Sequence, residues 1–169
     1  KYTGVLEGMN VIFIHLESAH NYLIDMEING TEVTPTINEL ADEGMYFSNF
    51  YPQISVGTSS DTEFTLNTSL MPASSSTVFM SYFDRNYVTI EKLLADKGYD
   101  TFSAHANEKS MWNRNNMHPN MGYQEMIFKD QFVVTPETTV GLGLSDEEFY
   151  KQLQPKLEKI EDENENYMG

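Results

Sequence analysis

The sequence predicts an α/β fold in which a mainly parallel sheet is flanked by helices. The apolar run Asn10–Leu16 is rich in β-branched residues, which is typical of a buried parallel strand. An amphipathic segment, Val88–Lys97, predicts a helix that stops at Gly98, and Tyr99–Ala104 directly after it predicts another strand. Strands and helices that alternate at such short intervals favour parallel pairing, because each helix returns the chain across the sheet.

Two further helices in the first half follow from their start and stop signals. The segment Thr34–Gly44 has a capping threonine, a proline at the first helical position and a terminal glycine. The segment Asp61–Leu70 is also predicted to be helical. Ser60 and Glu63 stand at the spacing of a capping box, in which each side chain meets a free backbone N–H of the first turn.

The remaining elements are less regular. Met45–Tyr51 alternates enough to predict a strand, and Phe132–Val134 predicts a short one. Ser145 opens a later helix through a second capping box. Pro155 is expected to kink or divide that helix, since proline lacks the N–H that helical bonding needs.

Composition restricts the kinds of function. The chain has 169 residues, 40% of them apolar, which suffices for one domain with a sizeable core. Its net charge of −16 argues against broad electrostatic binding of nucleic acid, so an anionic substrate must meet a metal, an arginine or a helix N-terminus. The lack of cysteine excludes disulfides, thiolate metal sites and a cysteine nucleophile. No apolar run reaches the roughly 18 residues of a membrane span, and no signal peptide is visible.

Several side chains stand where chemistry is expected. Glu17 follows the first predicted strand, and ligand sites in open α/β sheets form at strand carboxyl ends. A carboxylate there can bind a hard divalent cation or simply cap a neighbouring segment. Thr58 and Ser59 place hydroxyls at a helix N-terminus, which favours negative charge, and capping by Ser60 requires neither of them. A bound metal would make such a hydroxyl nucleophilic.

A second group of candidates follows the strand at Tyr99–Ala104. Arg114 can grip a phosphate through paired N–H bonds, and His105 can hydrogen-bond the same group or donate a proton. Trp112 offers a flat wall for a small polyol. The alternatives are a surface salt bridge for the arginine and a core position for the tryptophan. His118 is placed in a loop and given no role.

Taken together and in this order, these segments resemble the lipoteichoic acid synthase family of phosphoglycerol transferases, within the alkaline phosphatase/sulfatase superfamily. The resemblance implies that superfamily's fold, of which this chain would be the incomplete front half. It runs through nearly the whole chain and is carried by Asn10–Ser18 (NVIFIHLES), Gly30–Leu40 (GTEVTPTINEL), Gly57–Phe64 (GTSSDTEF), Asn67–Leu70 (NTSL), His105 with Trp112–Arg114 (WNR), and Gly143–Phe149 (GLSDEEF).

The resemblance also implies roles for single residues. Glu17 matches a metal ligand, and Ser59 matches the threonine that serves the family as nucleophile and metal ligand. The neighbouring Thr58 remains an alternative nucleophile. His105 matches a residue of the glycerolphosphate pocket, and so do Trp112 and Arg114. The implied cofactor is a divalent metal, Mn²⁺, with Mg²⁺ as the other possibility.

The family completes its metal site with an Asp-His pair and a further histidine, and no Asp-His dipeptide occurs in this sequence. Residues 1–169 are therefore expected to be the N-terminal portion of one catalytic domain that continues beyond the chain end, inactive without its remaining half. The expected substrates are a phosphatidylglycerol-type lipid and a glycerolphosphate polymer, with no nucleic acid partner. The expected location is the cell membrane, attached through segments absent here, with the catalytic domain on the extracellular face.

Two other functions stay open. One is a sulfatase-like hydrolase or phosphodiesterase, although the sulfatase pattern Cys/Ser-x-Pro-x-Arg does not occur at the expected nucleophile. The other is a catalytically incomplete fragment that binds glycerolphosphate or a partner protein.

Overall fold

The structure is a computed structural model that describes residues 3–169, and the chain divides into two compact units. The large unit comprises the described residues up to Phe13 together with Gln53–Gly169, and the small unit is Ile14–Pro52. Among the residues described, no helix combines the length and apolar character needed to cross a membrane. The expectation of one domain that continues beyond residue 169 stays a prediction.

The small unit is built from a hairpin and a helix. Its two short strands pair antiparallel across Asn29 and Gly30, whose positive φ angles of 53° and 77° suit a tight two-residue turn. The helix begins after Thr34 and ends at Gly44, as predicted. The elements are a 3-10 helix at Asn21–Leu23, β1 (Glu27–Ile28), β2 (Thr31–Glu32) and α1 (Pro35–Glu43).

The prediction of a strand at Met45–Tyr51 is wrong. The segment is irregular and contains a turn in which the Phe50 N–H donates to the Phe47 carbonyl over 3.2 Å. Phe47 and Phe50 are 67% and 81% exposed. The alternating pattern lacks what a strand needs, because no other strand of the small unit pairs with it.

The large unit alternates helices and strands. Short 3-10 helices lie at Met111–Asn113 and Lys129–Gln131. The other elements are α2 (Ser59–Thr68), α3 (Val78–Ser81), α4 (Ile90–Ala95), β3 (Asp100–Ala104), α5 (Arg114–Met121), β4 (Glu125–Ile127), β5 (Thr139–Val140), β6 (Gly143–Leu144), α6 (Asp146–Glu163) and β7 (Tyr167–Met168).

The main sheet of the described residues has the order β4-β3-β7, and both pairings are parallel. This confirms the predicted strand after the α4 helix. The apolar run at Asn10–Leu16 joins the sheet only in part: Val11 forms a parallel bridge with Met168, and the Phe13 N–H donates to the Gly169 carbonyl over 2.7 Å. Ile14 and Leu16 lie beyond this pairing and are 62% and 49% exposed, so the predicted buried strand is wrong.

Helices cover both faces of the sheet, because successive side chains of a strand point in opposite directions. Phe102 of β3 packs into a core cluster with Leu153 and Ile160 of α6. On the other face, the Thr101 hydroxyl donates to the Gly122 carbonyl over 2.7 Å, and Ser103 meets His118 of α5. The predicted α/β architecture, a parallel sheet flanked by helices, is therefore confirmed.

Two other predictions in the second half are corrected. Residues 132–134 form no strand, since the Gln152 side chain bonds both the N–H and the carbonyl of Val133 in place of a partner strand. Pro155 does not divide α6, which runs for 18 residues. Leu153 and Ile160 lie on either side of the proline and pack into the same core, which holds the helix together.

Candidate active site

The turn into α2 presents two unpartnered hydroxyls. Thr58 precedes the helix with φ 43° and ψ −109°, a backbone region that branched residues rarely occupy, and its side chain does not cap the helix. Ser59 is the first helical residue and is half-buried. Within the part of the chain that the structure describes, neither side-chain hydroxyl has a hydrogen-bond partner. Both are available for chemistry at a helix N-terminus, where free N–H groups favour negative charge.

A buried carboxylate holds this turn in shape. Asp61 is 1% exposed, and its Oδ2 accepts from the N–H groups of Ser55 (2.8 Å) and Gly57 (2.9 Å). A Cβ added at Gly57 would lie 2.2 Å from Asp61 Oδ1, so only glycine fits there. The Ser60 hydroxyl donates to the Gly57 carbonyl over 2.8 Å. The predicted capping box is therefore wrong, because Ser60 serves the turn and Glu63 serves another partner.

Glu63 instead binds two basic side chains of α5, Arg114 and His118. Glu63 accepts from Arg114 Nε (3.1 Å to Oε2) and from Arg114 Nη2 (2.5 Å to Oε1). His118 Nε2 lies 3.0 Å from Glu63 Oε2, and His118 Nδ1 lies 2.9 Å from the Ser103 hydroxyl. Burial raises the pKa of Glu63, but the hydrogen bonds from His118 and Arg114 outweigh it and lower that pKa to about 2. The site therefore holds a permanently ionised carboxylate.

The helical spacing connects this cluster to the nucleophile candidate. Ser59 and Glu63 are four residues apart on α2, so their side chains share one face, with Cβ atoms about 5–6 Å apart. Glu63, which binds the Arg114 guanidinium, therefore lies about one helical turn from Ser59 along α2. Arg114 is 2% exposed, so the sequence-based alternative of a surface salt bridge is wrong.

Trp112 is placed by an unusual stretch of backbone. Trp112 and Asn113 both have positive φ angles, 54° and 59°. The Asn113 side chain donates to the Phe79 carbonyl over 2.7 Å, which fixes this bend to α3. The half-buried indole packs against a core cluster that includes Phe64 and Met117. The tryptophan is thus part core residue and part surface, two residues before Arg114.

His105 follows β3 directly and is half-buried. Its Nδ1 accepts from the Asn107 N–H over 3.0 Å, which assigns the ring proton of the neutral form to Nε2. The ring stacks on Phe128 at 6.2 Å, and Phe128 also contacts the His118 ring at 5.9 Å. A chain of aromatic contacts therefore joins His105 to the cluster around Glu63.

Glu17 belongs to the small unit, where its side chain is exposed. Its carboxylate and the Ser59 hydroxyl are oxygen donors of the kind that Mn²⁺ and Mg²⁺ prefer. Among residues 3–169, no three His, Asp or Glu side chains come together in a group that could hold a metal. The chemistry of the two donors fits a divalent cation, whereas their number falls short of the roughly six ligands that it requires.

The sequence signals do not identify the chain of hydrogen bonds that leads from Arg114 through Glu63 and His118 to Ser103. They predict a helix cap for Glu63 and a loop without a role for His118, and they do not mark Ser103. One signal was present: His118 stands four residues after Arg114, so the two share a face once the segment is recognised as helical. Nothing in the sequence indicated that Glu63 would meet this face, because the contact spans 51 residues.

Comparison with known proteins places the chain in a family. Residues 9–168 match the sulfatase family. The chain is 38% identical over 157 residues to the lipoteichoic acid synthase-like protein YvgJ of Bacillus subtilis, covering 93% of this chain and 25% of the relative. It is 34% identical over 155 residues to a lipoteichoic acid synthase of Staphylococcus aureus, covering 89% of this chain and 24% of the relative.

Solved structures give the same result. The lipoteichoic acid synthase LtaP of Listeria monocytogenes superimposes with a TM-score of 0.92 at 31% identity, over 99% of this chain and 40% of that one. An alkaline phosphatase superfamily protein of Vibrio parahaemolyticus matches with a TM-score of 0.77 at 21% identity, over 94% and 38% of the two chains, which supports the fold alone. The chain spans about a quarter of the length of the curated relatives it matches. The alkaline phosphatase/sulfatase-like fold is confirmed, and the chain belongs to the sulfatase family.

Proposed function

We propose that this protein transfers the glycerolphosphate group of phosphatidylglycerol to a cell-envelope polymer of the lipoteichoic acid type, through a covalent intermediate on Ser59. Relatives that are 34% and 35% identical to the chain carry the name lipoteichoic acid synthase, and one that is 38% identical is named lipoteichoic acid synthase-like. One observation carries the proposal. The unpartnered Ser59 hydroxyl begins α2, one turn before the carboxylate that holds the Arg114 guanidinium.

The proposed reaction has two steps. In the first, Ser59 Oγ bonds to phosphorus while the bond between phosphorus and the diacylglycerol oxygen breaks. The proton lost by Ser59 is balanced by one gained by that oxygen, so diacylglycerol leaves as a neutral alcohol. In the second, a terminal hydroxyl of the polymer bonds to phosphorus, the bond to Ser59 Oγ breaks, and a proton returns to the serine.

The chain's own residues account for much of the charge balance. The free N–H groups at the first turn of α2 face the oxygens of a phosphate bound at Ser59. Arg114 donates hydrogen bonds to the same phosphate, and His105 contributes to balancing its charge. Trp112 packs beside the glycerol. These donors explain how an anionic headgroup binds to a chain whose net charge is −16.

A divalent cation, Mn²⁺ or Mg²⁺, belongs to the proposal, with Glu17 and Ser59 as two of its ligands. When bound, it would lower the pKa of the Ser59 hydroxyl and so make it nucleophilic. The two oxygen donors fit such an ion in kind. We assign the other ligands to residues outside the described part of the chain, since no three His, Asp or Glu side chains of residues 3–169 come together in one group.

The location follows from the substrate. Phosphatidylglycerol is a membrane lipid, so we propose that the protein works at the cell membrane, with its catalytic domain on the extracellular face, where the polymer grows. Attachment to the membrane is assigned to segments outside the sequence described here.

The test uses the protein as its gene encodes it, incubated with phosphatidylglycerol vesicles and Mn²⁺. Intact-mass measurement and peptide mapping should find a glycerolphosphoryl group on Ser59. Ser59→Ala should abolish the adduct, and the matched variant Thr58→Ala should retain it. Loss with Thr58→Ala and retention with Ser59→Ala would move the nucleophile to Thr58. If the unaltered protein forms no adduct with Mn²⁺ or Mg²⁺, the covalent mechanism is wrong.

Two other functions remain as outcomes of a second assay. The match to the sulfatase family favours a hydrolase as the first alternative. Release of glycerolphosphate into water at the same rate with and without the polymer would support it, whereas transfer requires the polymer. The lack of a complete metal-binding group among the described residues favours a module that only binds glycerolphosphate. Binding without turnover under every metal condition would support that reading.

A further inference from the structure

We infer that Asp61 is a positioning residue for Ser59: its buried carboxylate ties the preceding turn to the first turn of α2 and so fixes where the Ser59 hydroxyl stands. This role rests on the proposed function in one respect, namely that Ser59 is the nucleophile. Asp61 acts through the backbone around Ser59 and needs no contact with the substrate.

One oxygen of the Asp61 carboxylate makes the connection to the turn. Asp61 Oδ2 accepts from the Ser55 N–H over 2.8 Å and from the Gly57 N–H over 2.9 Å. Because the aspartate is 1% exposed, water does not compete for these two bonds. The other oxygen, Oδ1, is buried and has no hydrogen-bond partner among the described residues. Within the described chain, the hydrogen bonds of this carboxylate therefore go to the turn.

Gly57 lies directly against the same carboxylate. A Cβ added at residue 57 would stand 2.2 Å from Asp61 Oδ1 and 2.6 Å from Asp61 Cγ, closer than real Cβ atoms approach any neighbour. Any side chain at residue 57 would thus push the turn and the carboxylate apart. The fit of glycine against Asp61 indicates that the contact between them is needed.

Thr58 is the single residue between this turn and the helix. Its φ of 43° and ψ of −109° are unfavourable for a β-branched residue, so the conformation persists only where the neighbouring residues are held. Asp61 holds Gly57 on one side. On the other side, the Thr62 N–H donates to the Thr58 carbonyl over 3.2 Å and closes the first helical turn. Without Asp61, the strain at Thr58 is relieved by unwinding that turn, which contains Ser59.

Unwinding the first turn displaces the nucleophile. A residue that leaves the helix changes its rise along the chain from about 1.5 Å to about 3.3 Å, so the Ser59 hydroxyl moves by more than about 1 Å. A displacement of about 1 Å costs roughly 100-fold in rate, because the reacting atoms must stand about 3–3.5 Å apart and in line. Loss of Asp61 should therefore slow the chemical step and affect lipid binding much less.

The experiment measures how fast the glycerolphosphoryl adduct forms on Ser59 in a single turnover, using the protein as its gene encodes it, phosphatidylglycerol vesicles and Mn²⁺. Asp61→Ala removes both hydrogen bonds and should slow the adduct about 100-fold at saturating lipid. The lipid concentration that gives half the maximal rate should change less than about threefold. Asp61→Asn keeps one acceptor oxygen for both N–H groups, so its rate should stay within about tenfold of that of the unaltered protein.

A matched control separates positioning from a general loss of stability. Ser145 caps α6, since its hydroxyl accepts from the Glu148 N–H over 3.3 Å, and α6 packs into a different core cluster from α2. Ser145→Ala should destabilise the fold and leave the adduct rate unchanged at a temperature where the variants stay folded. Equal slowing in Ser145→Ala and Asp61→Ala overturns the inference. An Asp61→Asn variant as slow as Asp61→Ala also overturns it.

Gly57→Ala disturbs the same contact from the other side. Its methyl group displaces the carboxylate, so the variant should slow the adduct about as much as Asp61→Ala does. Combined with Asp61→Ala, it should add less than about threefold, because the carboxylate that it would displace is already gone. Two losses that multiply would show that the two residues act separately, and that result overturns the inference.

Hydrogen exchange in the unaltered protein decides the matter if the alanine variants do not fold. The amide protons of Ser55 and Gly57 should exchange as slowly as those within α2, because both are bonded to a buried oxygen. Exchange as fast as in an open loop overturns the inference.

The outcomes also separate this role from the proposed function. An adduct that forms on Ser59 at an unchanged rate in Asp61→Ala leaves the transferase in place and removes the role of Asp61. If the unaltered protein forms no adduct, the covalent mechanism is wrong and the role of Asp61 is removed with it. An adduct on Thr58 instead of Ser59 removes the role as well.

Discussion

Helices α2 and α4 each bury a glutamate, and the two carboxyl groups have opposite surroundings. Glu63 on α2 is bound by Arg114 and His118, and its pKa is lowered to about 2 although burial acts to raise it. Glu91 on α4 is 0% exposed, and its two oxygens make no hydrogen bond of standard geometry among the described residues, although the nearby Tyr123 and Thr89 side chains act to lower its pKa. Burial accordingly raises the pKa of Glu91.

This difference shows where the large unit keeps an ionised carboxyl group in its interior. Burial alone drives a carboxyl group towards its neutral form, and hydrogen-bonded cations reverse that tendency. The large unit supplies the Arg114 cation at Glu63, one turn from the candidate nucleophile, whereas no described cation hydrogen-bonds Glu91. A charged carboxylate is thus retained where a phosphate is proposed to bind.

The largest expected effect on stability comes from breaking the ion pair between Glu63 and Arg114. Arg114→Met removes a cation of the Glu63 cluster and leaves a largely buried carboxylate with His118 alone. The free energy of unfolding should fall by about 3 kcal/mol, as is usual when one partner of a buried ion pair is lost. Urea denaturation at pH 7 measures this change.

The matched control is Lys151→Met, which breaks the exposed pair between Lys151 and Glu147 on α6. It should change stability little, because water screens exposed pairs. Equal costs for the two variants would show that the burial of the Glu63 cluster contributes nothing, and the contrast between α2 and α4 would lose its basis.

Replacing Glu91 should have a smaller effect on stability, of the opposite sign. Because the folded-state pKa of Glu91 is raised, the folded protein binds the proton more tightly than the unfolded chain does. Stability is therefore lost as the pH rises from about 4.5, the value of an ordinary glutamate, through the raised pKa. Glu91→Gln removes this loss and should stabilise the protein at pH 7 by about 1 kcal/mol.

The pH dependence distinguishes this explanation from a general packing effect. The advantage of Glu91→Gln should shrink at pH 4, where most of the native glutamate is neutral in both the folded and the unfolded state. Glu125→Gln, at an exposed position of β4, serves as the control and should change stability little at either pH. An advantage of Glu91→Gln that is the same at pH 4 and pH 7 would contradict the assignment to charge.

Local sequence signals predicted local structure well. The capping threonine, proline and glycine around α1 fixed its two ends, and the amphipathic pattern before Gly98 located α4 and the strand after it. The alternation of apolar and polar residues at Met45–Tyr51 wrongly predicted a strand, since no strand among the described residues pairs with this segment. The apolar run Asn10–Leu16 is not buried as predicted, because its backbone hydrogen bonding to the sheet extends only to Phe13.

The candidate site likewise contains residues that local sequence signals predicted and residues that they did not. The hydroxyls at the α2 turn were predictable, since Thr58 and Ser59 adjoin a helix start whose signals are local. The cluster around Arg114 was not, because Glu63, Ser103 and His118 come from three different elements and meet only in the folded chain. A capping box and a buried ion pair would use the same glutamate. The tertiary contact prevailed because Glu63 then hydrogen-bonds the Arg114 guanidinium and the His118 ring instead of one backbone N–H.

The smallest expected effect lies within one turn of α2 and separates two neighbouring serines. The Ser60 hydroxyl donates to the Gly57 carbonyl, so Ser60→Ala should cost about 1 kcal/mol of unfolding free energy. The Ser59 hydroxyl bonds nothing among the described residues, and alanine is the better helix former, so Ser59→Ala should change stability by no more than about 0.5 kcal/mol, in either direction. Thermal denaturation of the two variants tests this directly.

The comparison sharpens the assignment of the nucleophile. A side chain kept for structure reveals itself by the stability lost when it is removed, whereas one kept for chemistry can be removed at no cost to the fold. Ser59→Ala should therefore lose the glycerolphosphoryl adduct while unfolding at the same temperature as the unaltered protein. A drop in stability as large as that of Ser60→Ala would instead make Ser59 a structural residue of the turn, and the exposed Thr58 hydroxyl would become the stronger candidate.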